Sequence, residues 1–179
     1  MKWVKLAALV LAVLILVPVV CLAIANAGAD SNRITTSVVI HQKPEAIWPY
    51  LYQPDKVKQW VTWLVEVRGE GEPAVGQNVV WVMEDRNNGG AKMEIAATVE
   101  AVEAQRRLAL RLKAAEGFTG TNVYTLVPLA DGSTRLESDG RYMFDNSFAR
   151  FMTPLICWQA KKKMVGDLET LKTRVEGGV

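Results

Sequence analysis

Residues 34–48 of the chain read ITTSVVIHQKPEAIW, and the change of pattern within this stretch decides the fold. Its first part is rich in β-branched residues, which predicts a strand over residues 34–40. Lys43-Pro44-Glu45 then ends the strand, because proline is accepted in the first turn of a helix and a carboxylate suits the positive end of the helix dipole. A short helix is expected from this point, followed by a second helical turn over residues 55–60.

Strand patterns separated by turn signals fill the middle of the chain. Six further strands are predicted, over residues 65–68, 79–84, 92–102, 108–113, 122–128 and 134–143. In the last of these, alternation places Leu136, Ser138 and Tyr142 on one face and Arg135 and Arg141 on the other. Such alternation is typical of an antiparallel sheet with one covered face, so both arginines are expected to point away from the interior.

The C-terminal region has the spacing of a long amphipathic helix. Apolar residues recur at helical intervals from Phe148 to Val175, after Asn146, which can cap a helix. Pro154 is expected to kink this helix or offset its first turns. The order of elements predicts an α+β domain in which a seven-stranded antiparallel sheet curves around the long C-terminal helix, preceded by an N-terminal hydrophobic helix.

The N-terminal region is strongly apolar. Residues 6–25 contain no charged or strongly polar side chain, and as a helix they would be about 30 Å long, the thickness of a bilayer's hydrocarbon core. Residues 1–27 are therefore predicted to be a transmembrane anchor or a signal peptide. The length of the apolar run favours the anchor, whereas Ala25-Asn26-Ala27 is typical of a cleavage site.

Both alternatives place the remaining chain outside the cytoplasm. An anchored protein would be a single-pass protein of the cell membrane, and a cleaved one would be secreted or periplasmic. Residues 28–33 are then a short linker and residues 34–179 a single domain. The intact mass distinguishes the alternatives, because a chain beginning at Gly28 has been cleaved.

Composition excludes several classes of function. Half of the 179 residues are hydrophobic, and the chain has 21 basic and 19 acidic residues. Lys2 and Lys5 are the only charged residues before Asp30, so the rest of the chain is neutral, which argues against a nucleic-acid partner. His41 is the only histidine, and neither a Cys-x-x-Cys pair nor an Asp-rich calcium loop occurs, so no metal site is predicted. No cofactor is predicted either, because Pro73 and Gly76 prevent the helix that the Gly-rich stretch at residues 69–74 would need to bind a dinucleotide, and no P-loop is present.

Particular residues strengthen the fold prediction. The stretch SVVIHQKPEAIW at residues 37–48, with Trp60 after it, resembles the N-terminal signature of the polyketide cyclase/dehydrase group. Similar stretches in the second half are YTLVP at residues 124–128, GSTRL at 132–136 and DLETLK at 167–172. The resemblance is to the SRPBCC superfamily, whose helix-grip fold is shared by START lipid-transfer domains and birch-pollen allergens, and it covers nearly the whole domain.

The resemblance implies a hydrophobic cavity between the curved sheet and the long helix. The expected function is to bind a lipid or other hydrophobic small molecule there; the alternative is a cyclase- or dehydratase-type enzyme acting on such a molecule. Tyr124 and Tyr142 are the candidates for orienting a carbonyl or hydroxyl group, or for acid–base catalysis in the enzyme alternative. The residues predicted to line the cavity are Trp81, Met93, Ile95, Tyr124, Ser138, Tyr142, Phe148, Met152 and Leu155.

Overall fold

A computed structural model describes residues 2–28, 30–85, 89–115 and 117–177. Its helices are α1 (Lys2–Asn26), α2 (Pro44–Ile47), α3 (Pro54–Val57), α4 (Ser147–Phe151) and α5 (Thr153–Glu176), with a 3₁₀ turn over Trp48–Leu51. Its strands are β1 (Arg33–Ile40), β2 (Leu64–Arg68), β3 (Asn78–Asp85), β4 (Ala91–Glu103), β5 (Arg107–Ala114), β6 (Phe118–Pro128) and β7 (Thr134–Phe144). The predicted α+β class and element order are confirmed.

The seven strands form one antiparallel sheet in the order β1-β7-β6-β5-β4-β3-β2. Strands β2 to β7 follow one another as a meander, and β1 crosses over to pair with β7. Irregularities between Leu64 and Glu66 and between Val99 and Ala101 interrupt the pairing register. Because such bulges bend a strand and increase its twist, they help the sheet to curve.

Helix α5 packs against the concave face of the sheet, and the hydrophobic core lies between them. Leu168, Leu171 and Val175 of α5 are buried in the same cluster as Leu136 and Leu126 of the sheet. At the helix's C-terminal end, the Glu176 carboxylate accepts hydrogen bonds from the backbone N–H of His41 at 2.7 Å and contacts its ring nitrogen at 2.9 Å. These contacts join the end of α5 to the end of β1.

Two differences from the predicted element boundaries affect the residues around the cavity. The C-terminal region is two helices separated at Met152, because Pro154 occupies the first turn of α5 and cannot continue α4, so the expected offset at Pro154 is confirmed. Strand β6 begins at Phe118, four residues before its predicted start. The additional residues pair with the end of β7, with Gly120 opposite Tyr142, a long-range pairing that local alternation does not reveal.

The N-terminal hydrophobic helix is present as α1. The side chain of Asn26, at its end, donates a hydrogen bond to the carbonyl oxygen of Arg150 in α4 at 3.1 Å. Of the predicted linker, Ala29 lies outside the described residues, and Asn32 accepts a backbone hydrogen bond from Tyr142 at 3.0 Å. In the part of the chain that the structure describes, no helix has the length and hydrophobicity required to cross a membrane.

Candidate functional site: an apolar cavity beneath helix α5

A cavity of about 410 Å³ lies between the concave face of the sheet and α5. Its volume falls within the usual range for small-molecule sites, about 300–1,000 Å³. On the sheet side it is lined by six of the residues predicted from the sequence: Trp81, Met93, Ile95, Tyr124, Ser138 and Tyr142. Ile156, Cys157, Ala160 and Met164 of α5 form the opposite wall, so most of the lining is apolar.

Tyr142 lies flat on the sheet because two neighbouring positions are glycines. A Cβ atom at Gly140 would lie 2.6 Å from the Tyr142 hydroxyl oxygen, and one at Gly120 would lie 2.9 Å from its Cδ1 atom. Both distances are too short for a real contact, so a side chain at either position would displace the ring. The two glycines therefore fix the position of the Tyr142 hydroxyl at the cavity wall.

Burial controls the ionisation of both cavity tyrosines. It raises the pKa of Tyr142 to about 12, with a smaller contribution from the neighbouring Cys157. The pKa of Tyr124 is also raised, mainly by burial, and the side chain of Asn122 opposes this shift through a hydrogen bond. Both phenols, which an ordinary tyrosine pKa already keeps protonated at neutral pH, therefore stay protonated to higher pH as well, and each can donate a hydrogen bond to a ligand oxygen.

A polar row crosses the inner face of the sheet next to these tyrosines. The Ser138 hydroxyl donates a hydrogen bond to the Asn122 amide oxygen at 3.0 Å, and both residues line the cavity. Thr36 is opposite Ser138 in the sheet, and its buried hydroxyl oxygen has no hydrogen-bond partner among the described residues. A polar group of a ligand would therefore meet neutral donors and acceptors at this wall.

A buried carboxylate connects α5 to the loop before β2. One oxygen of Asp167 accepts hydrogen bonds from the backbone N–H of Thr62 at 3.2 Å and from its hydroxyl at 2.5 Å. The other oxygen is 2.6 Å from the Lys163 ammonium group, which also lies 5.2 Å from the centre of the Trp63 ring. With side-chain exposures of 7% and 22%, Asp167 and Lys163 form a largely buried ion pair at one side of the cavity.

Trp63 has a strained backbone where it lines the cavity. Its φ of 76° lies in the left-handed region, which is unfavourable for a bulky side chain. The Trp63 carbonyl oxygen accepts a hydrogen bond from the Glu84 N–H at 2.7 Å, and the adjacent Thr62 is bonded to Asp167. These contacts on both sides hold the tryptophan in this conformation, as the surroundings of strained residues commonly do.

Three residues predicted to line the cavity lie elsewhere. Phe148 of α4 is 74% exposed and Leu155 is 37% exposed, while Met152 forms the junction between the helices and does not line the cavity. The prediction treated residues 148–175 as a single helix with one inward face. Because the helix is interrupted at Met152, the spacing counted from Phe148 does not carry into α5, whose first lining residues are Ile156 and Cys157.

Two polar residues that line the cavity, Asn122 and Asp167, were not predicted to do so. Asn122 was placed at the start of a strand without a role, and Asp167 was noted only as part of a helical sequence. One signal was available: Asp167 interrupts the apolar stripe that includes Leu168, Leu171 and Val175, and Lys163 precedes it by four residues. A charged residue in an apolar stripe suggests a buried pair, but its partner in the loop before β2 is not apparent from spacing.

Charged groups contribute little to the cavity wall. Among the described residues, the charged side chains that line it are Lys163 and Asp167, which neutralise each other. Arg135 and Arg141 lie on the exposed face of β7, as the alternation predicted. No group of three or more histidine, cysteine, aspartate or glutamate side chains suited to a metal ion occurs within the described ranges.

Together, the curved sheet, the helix across it and the cavity between them define a helix-grip protein. The chain belongs to the family described as polyketide cyclase/dehydrase and lipid transport, which matches residues 31–176. The predicted membership of the SRPBCC superfamily is thus confirmed. No protein of curated function matches the chain significantly.

Solved structures share the fold at low sequence identity. A conserved protein from Geobacillus kaustophilus has a TM-score of 0.68 at 13% identity, covering 81% of this chain and 95% of its own. A Chromobacterium violaceum protein has a TM-score of 0.65 at 17% identity, with coverages of 81% and 98%. A START superfamily protein from Mycobacterium smegmatis has a TM-score of 0.64 at 16% identity, with coverages of 82% and 99%.

Proposed function

We propose that this protein binds a lipid or other hydrophobic small molecule in the cavity beneath α5. The observation that carries the proposal is a cavity of about 410 Å³ with a wall that is almost entirely apolar. The family description, which includes lipid transport, supports the same class of ligand. Contacts with the apolar wall would provide most of the affinity, at about 25 cal/mol for each Å² removed from water.

The neutral polar groups define which part of the ligand is recognised. Tyr142 and Tyr124 are protonated at neutral pH, as tyrosines ordinarily are, and burial raises the pKa of both further, so they are suited to donate to a carbonyl or hydroxyl oxygen. Asn122 offers an amide beside them, and Ser138 already donates to its oxygen. We therefore expect an uncharged oxygen-containing group on a mainly hydrocarbon ligand.

Filling the cavity with a larger side chain should weaken the binding of a hydrophobic probe. We expect Ala160→Phe, which introduces an aromatic side chain from the α5 wall, to weaken binding of the neutral probe N-phenyl-1-naphthylamine by at least about tenfold, since losing the burial of only two methylene groups has that effect. Fluorescence titration of the full chain measures this change. The matched control is Gln159→Phe, which adds the same side chain at an exposed position of α5.

Unchanged affinity in a folded Ala160→Phe protein would contradict the cavity as the binding site. Near-ultraviolet circular dichroism checks that the variant keeps its tertiary packing. The exposed apolar side chains of α1 provide a background of probe binding that is the same in all three proteins, so only the difference between the two phenylalanine variants is interpreted.

Removing one hydroxyl should affect only ligands with an oxygen acceptor. We expect Tyr142→Phe to weaken binding of a ketone-bearing naphthalene probe about fivefold, because a neutral hydrogen bond contributes about 1 kcal/mol. Binding of N-phenyl-1-naphthylamine, which has no carbonyl, should change less than twofold on the same scale, about 0.4 kcal/mol. Equal losses for both probes would indicate a packing role for Tyr142 and contradict the proposed hydrogen bond.

The enzyme alternative receives less support from the site. Because the pKa of Tyr142 is raised to about 12, almost no phenolate is present at neutral pH to act as a base, although the protonated phenol can still act as an acid. The one carboxylate among the described lining residues, Asp167, already accepts hydrogen bonds from Thr62 and Lys163. If turnover of a hydrophobic carbonyl compound were found, its retention in a Tyr124→Phe/Tyr142→Phe protein would exclude the tyrosines as catalytic groups.

Export of the domain stays a prediction from the sequence. It is supported by the two lysines, Lys2 and Lys5, that precede the apolar residues 6–25. The intact mass of the protein recovered from its cells remains the deciding measurement, since a chain starting at Gly28 indicates removal of a signal peptide.

A further inference from the structure

A set of large apolar side chains on the outside of the domain is exposed to solvent beside the cavity. We call Met143, Phe148, Leu155 and Trp158 the outer apolar patch; their exposed fractions are 62%, 74%, 37% and 54%. Three of them lie on α4 and α5, and Met143 is near the end of β7. Such a concentration of exposed apolar residues within 16 positions of the sequence indicates an interaction surface.

The α5 part of the patch has the character of an interfacial helix. Leu155, Trp158, Lys162 and Val165 occupy one stripe of the helix, at spacings of three and four residues, and all four are exposed. The Lys162 ammonium group lies 3.6 Å from the centre of the Trp158 ring. Tryptophan beside a long basic side chain is typical of protein surfaces at the boundary between lipid tails and headgroups.

The charge around the patch favours an anionic partner. Residues 146–166 include Arg150, Lys161, Lys162 and Lys163 and no acidic residue. Lys163 is engaged by Asp167, which leaves Arg150, Lys161 and Lys162 as exposed basic groups; Asp145 is an exposed acidic residue just outside this segment. Two copies meeting through this surface would bring these positive charges together, whereas anionic lipid headgroups would neutralise them.

The patch is next in sequence to two residues of the cavity wall and lies near the end of α1. Phe144 and Ile156 line the cavity, and their sequence neighbours Met143 and Leu155 belong to the patch. Helix α1 ends beside α4, where Asn26 is bonded to the Arg150 carbonyl oxygen. The described apolar side chains of α1 are largely exposed, so an additional apolar surface adjoins the patch.

We propose that the outer apolar patch docks the domain on the surface of a lipid bilayer containing anionic headgroups. Phe148, Leu155 and Trp158 enter the level between headgroups and acyl chains, and Lys161 and Lys162 contact phosphates. The proposal does not depend on which molecule the cavity holds.

A probe at a single residue tests the proposal in the full chain. Because α1 is itself apolar, total binding to vesicles does not report on the patch, whereas the environment of one side chain does. A nitrobenzoxadiazole fluorophore is attached to Phe148→Cys in a Cys21→Ser background. The matched position is Val75→Cys, in the β2–β3 loop, where the native side chain is 68% exposed.

The remaining thiol does not interfere with this labelling. Cys157 is buried, which also raises its pKa and lowers its reactivity. The Cys21→Ser protein without an added cysteine gives the residual signal. Vesicles of phosphatidylcholine mixed with phosphatidylglycerol are compared with phosphatidylcholine vesicles and with lipid-free buffer.

We expect vesicles containing phosphatidylglycerol to shift the emission of the probe at residue 148 to shorter wavelength and to increase it, with no change at residue 75. Lys161→Gln and Lys162→Gln should each raise the lipid concentration needed for half of this change about fivefold. Unchanged emission at residue 148 in vesicle-bound protein overturns the proposal, as do equal changes at both positions. A shift that appears without lipid and grows with protein concentration also overturns it, because a second copy then covers the patch.

Discussion

Replacing Gly120 with alanine is expected to lower the free energy of unfolding by about 3 kcal/mol, the upper part of the range for overpacked interiors. The added Cβ atom would lie 2.6 Å from the Arg141 carbonyl oxygen and 2.9 Å from Cδ1 of Tyr142. The first neighbour is backbone of the adjacent strand, so relief requires β6 and β7 to separate or twist. Thermal unfolding should show a decrease in Tm of about 10 °C for a domain of this size.

The matched control is a glycine with open space around it. Gly166 lies inside α5, and a Cβ atom there would meet nothing within 4 Å. Gly166→Ala should therefore stabilise the protein by up to about 1 kcal/mol, the difference in helix propensity between the two residues.

Removing the Tyr142 ring shows which of the two short contacts at Gly120 causes the loss of stability. In Gly120→Ala/Tyr142→Ala the clash with the ring is gone but the clash with the Arg141 carbonyl oxygen persists. The second substitution should therefore not restore stability. A Gly120→Ala protein within about 0.5 kcal/mol of the native one, the usual effect of a surface change, would contradict the close approach described for this site.

Replacing Asp167 with alanine is the second substitution with a large expected effect, a loss of about 2–3 kcal/mol of stability. Removing one partner of a buried ion pair typically costs about 3–5 kcal/mol, and the partial exposure of Lys163 reduces this value. The change leaves the Lys163 ammonium group without its carboxylate and removes the acceptor of both Thr62 hydrogen bonds. Urea unfolding followed by circular dichroism measures the loss.

Two further variants separate the charge from the loop contact. Asp167→Asn keeps an oxygen that can accept from Thr62 but loses the charge, so it should have an intermediate stability. Replacing both partners by apolar residues, as in Lys163→Met/Asp167→Leu, should recover part of the loss, because no buried charge remains unpaired.

Glu169→Ala is the control for the Asp167 series. It removes an exposed carboxylate two positions away on α5 and should change stability by less than about 0.5 kcal/mol. Equal effects of Asp167→Ala and Glu169→Ala would show that the buried pair contributes nothing to the attachment between α5 and the loop before β2.

Much of the fold can be predicted because its signals are local. The β-branched run of β1 ends at Ile40. The helix that follows begins at Pro44, and its start depends on only a few adjacent residues, Lys43-Pro44-Glu45. Alternation in β7 determines which side chains face inward, and it places Ser138 and Tyr142 correctly on the covered face. The boundary of β6 was less accurate, because its first residues are strand only through their pairing with β7.

The sequence predicts the sheet side of the candidate site, including Tyr124, Ser138 and Tyr142, but not the buried pair of Lys163 and Asp167. Successive side chains of a strand point to opposite faces, and this alternation predicts that Trp81, Met93 and Ile95 face inward. Phe148 and Leu155 do not line the cavity as predicted, because helical spacing does not reveal that the helix is interrupted at Met152. Asp167 acquires its role through Thr62, a residue more than 100 positions away, which no local pattern relates to it.

By itself, the sequence determined the α+β class, the order of the elements, the neutral charge of the domain and the residue types of its inward faces. These properties follow from periodicity and composition, which depend only on the order and types of the residues. Only the tertiary structure decided that the inward faces leave a cavity between them. It also decided that Tyr142 lies over Gly120 and Gly140, and that the Asp167–Lys163 pair lies at one side of the cavity. Whether two apolar surfaces meet or leave a space depends on the curvature of the sheet and the position of α5, which long-range packing sets.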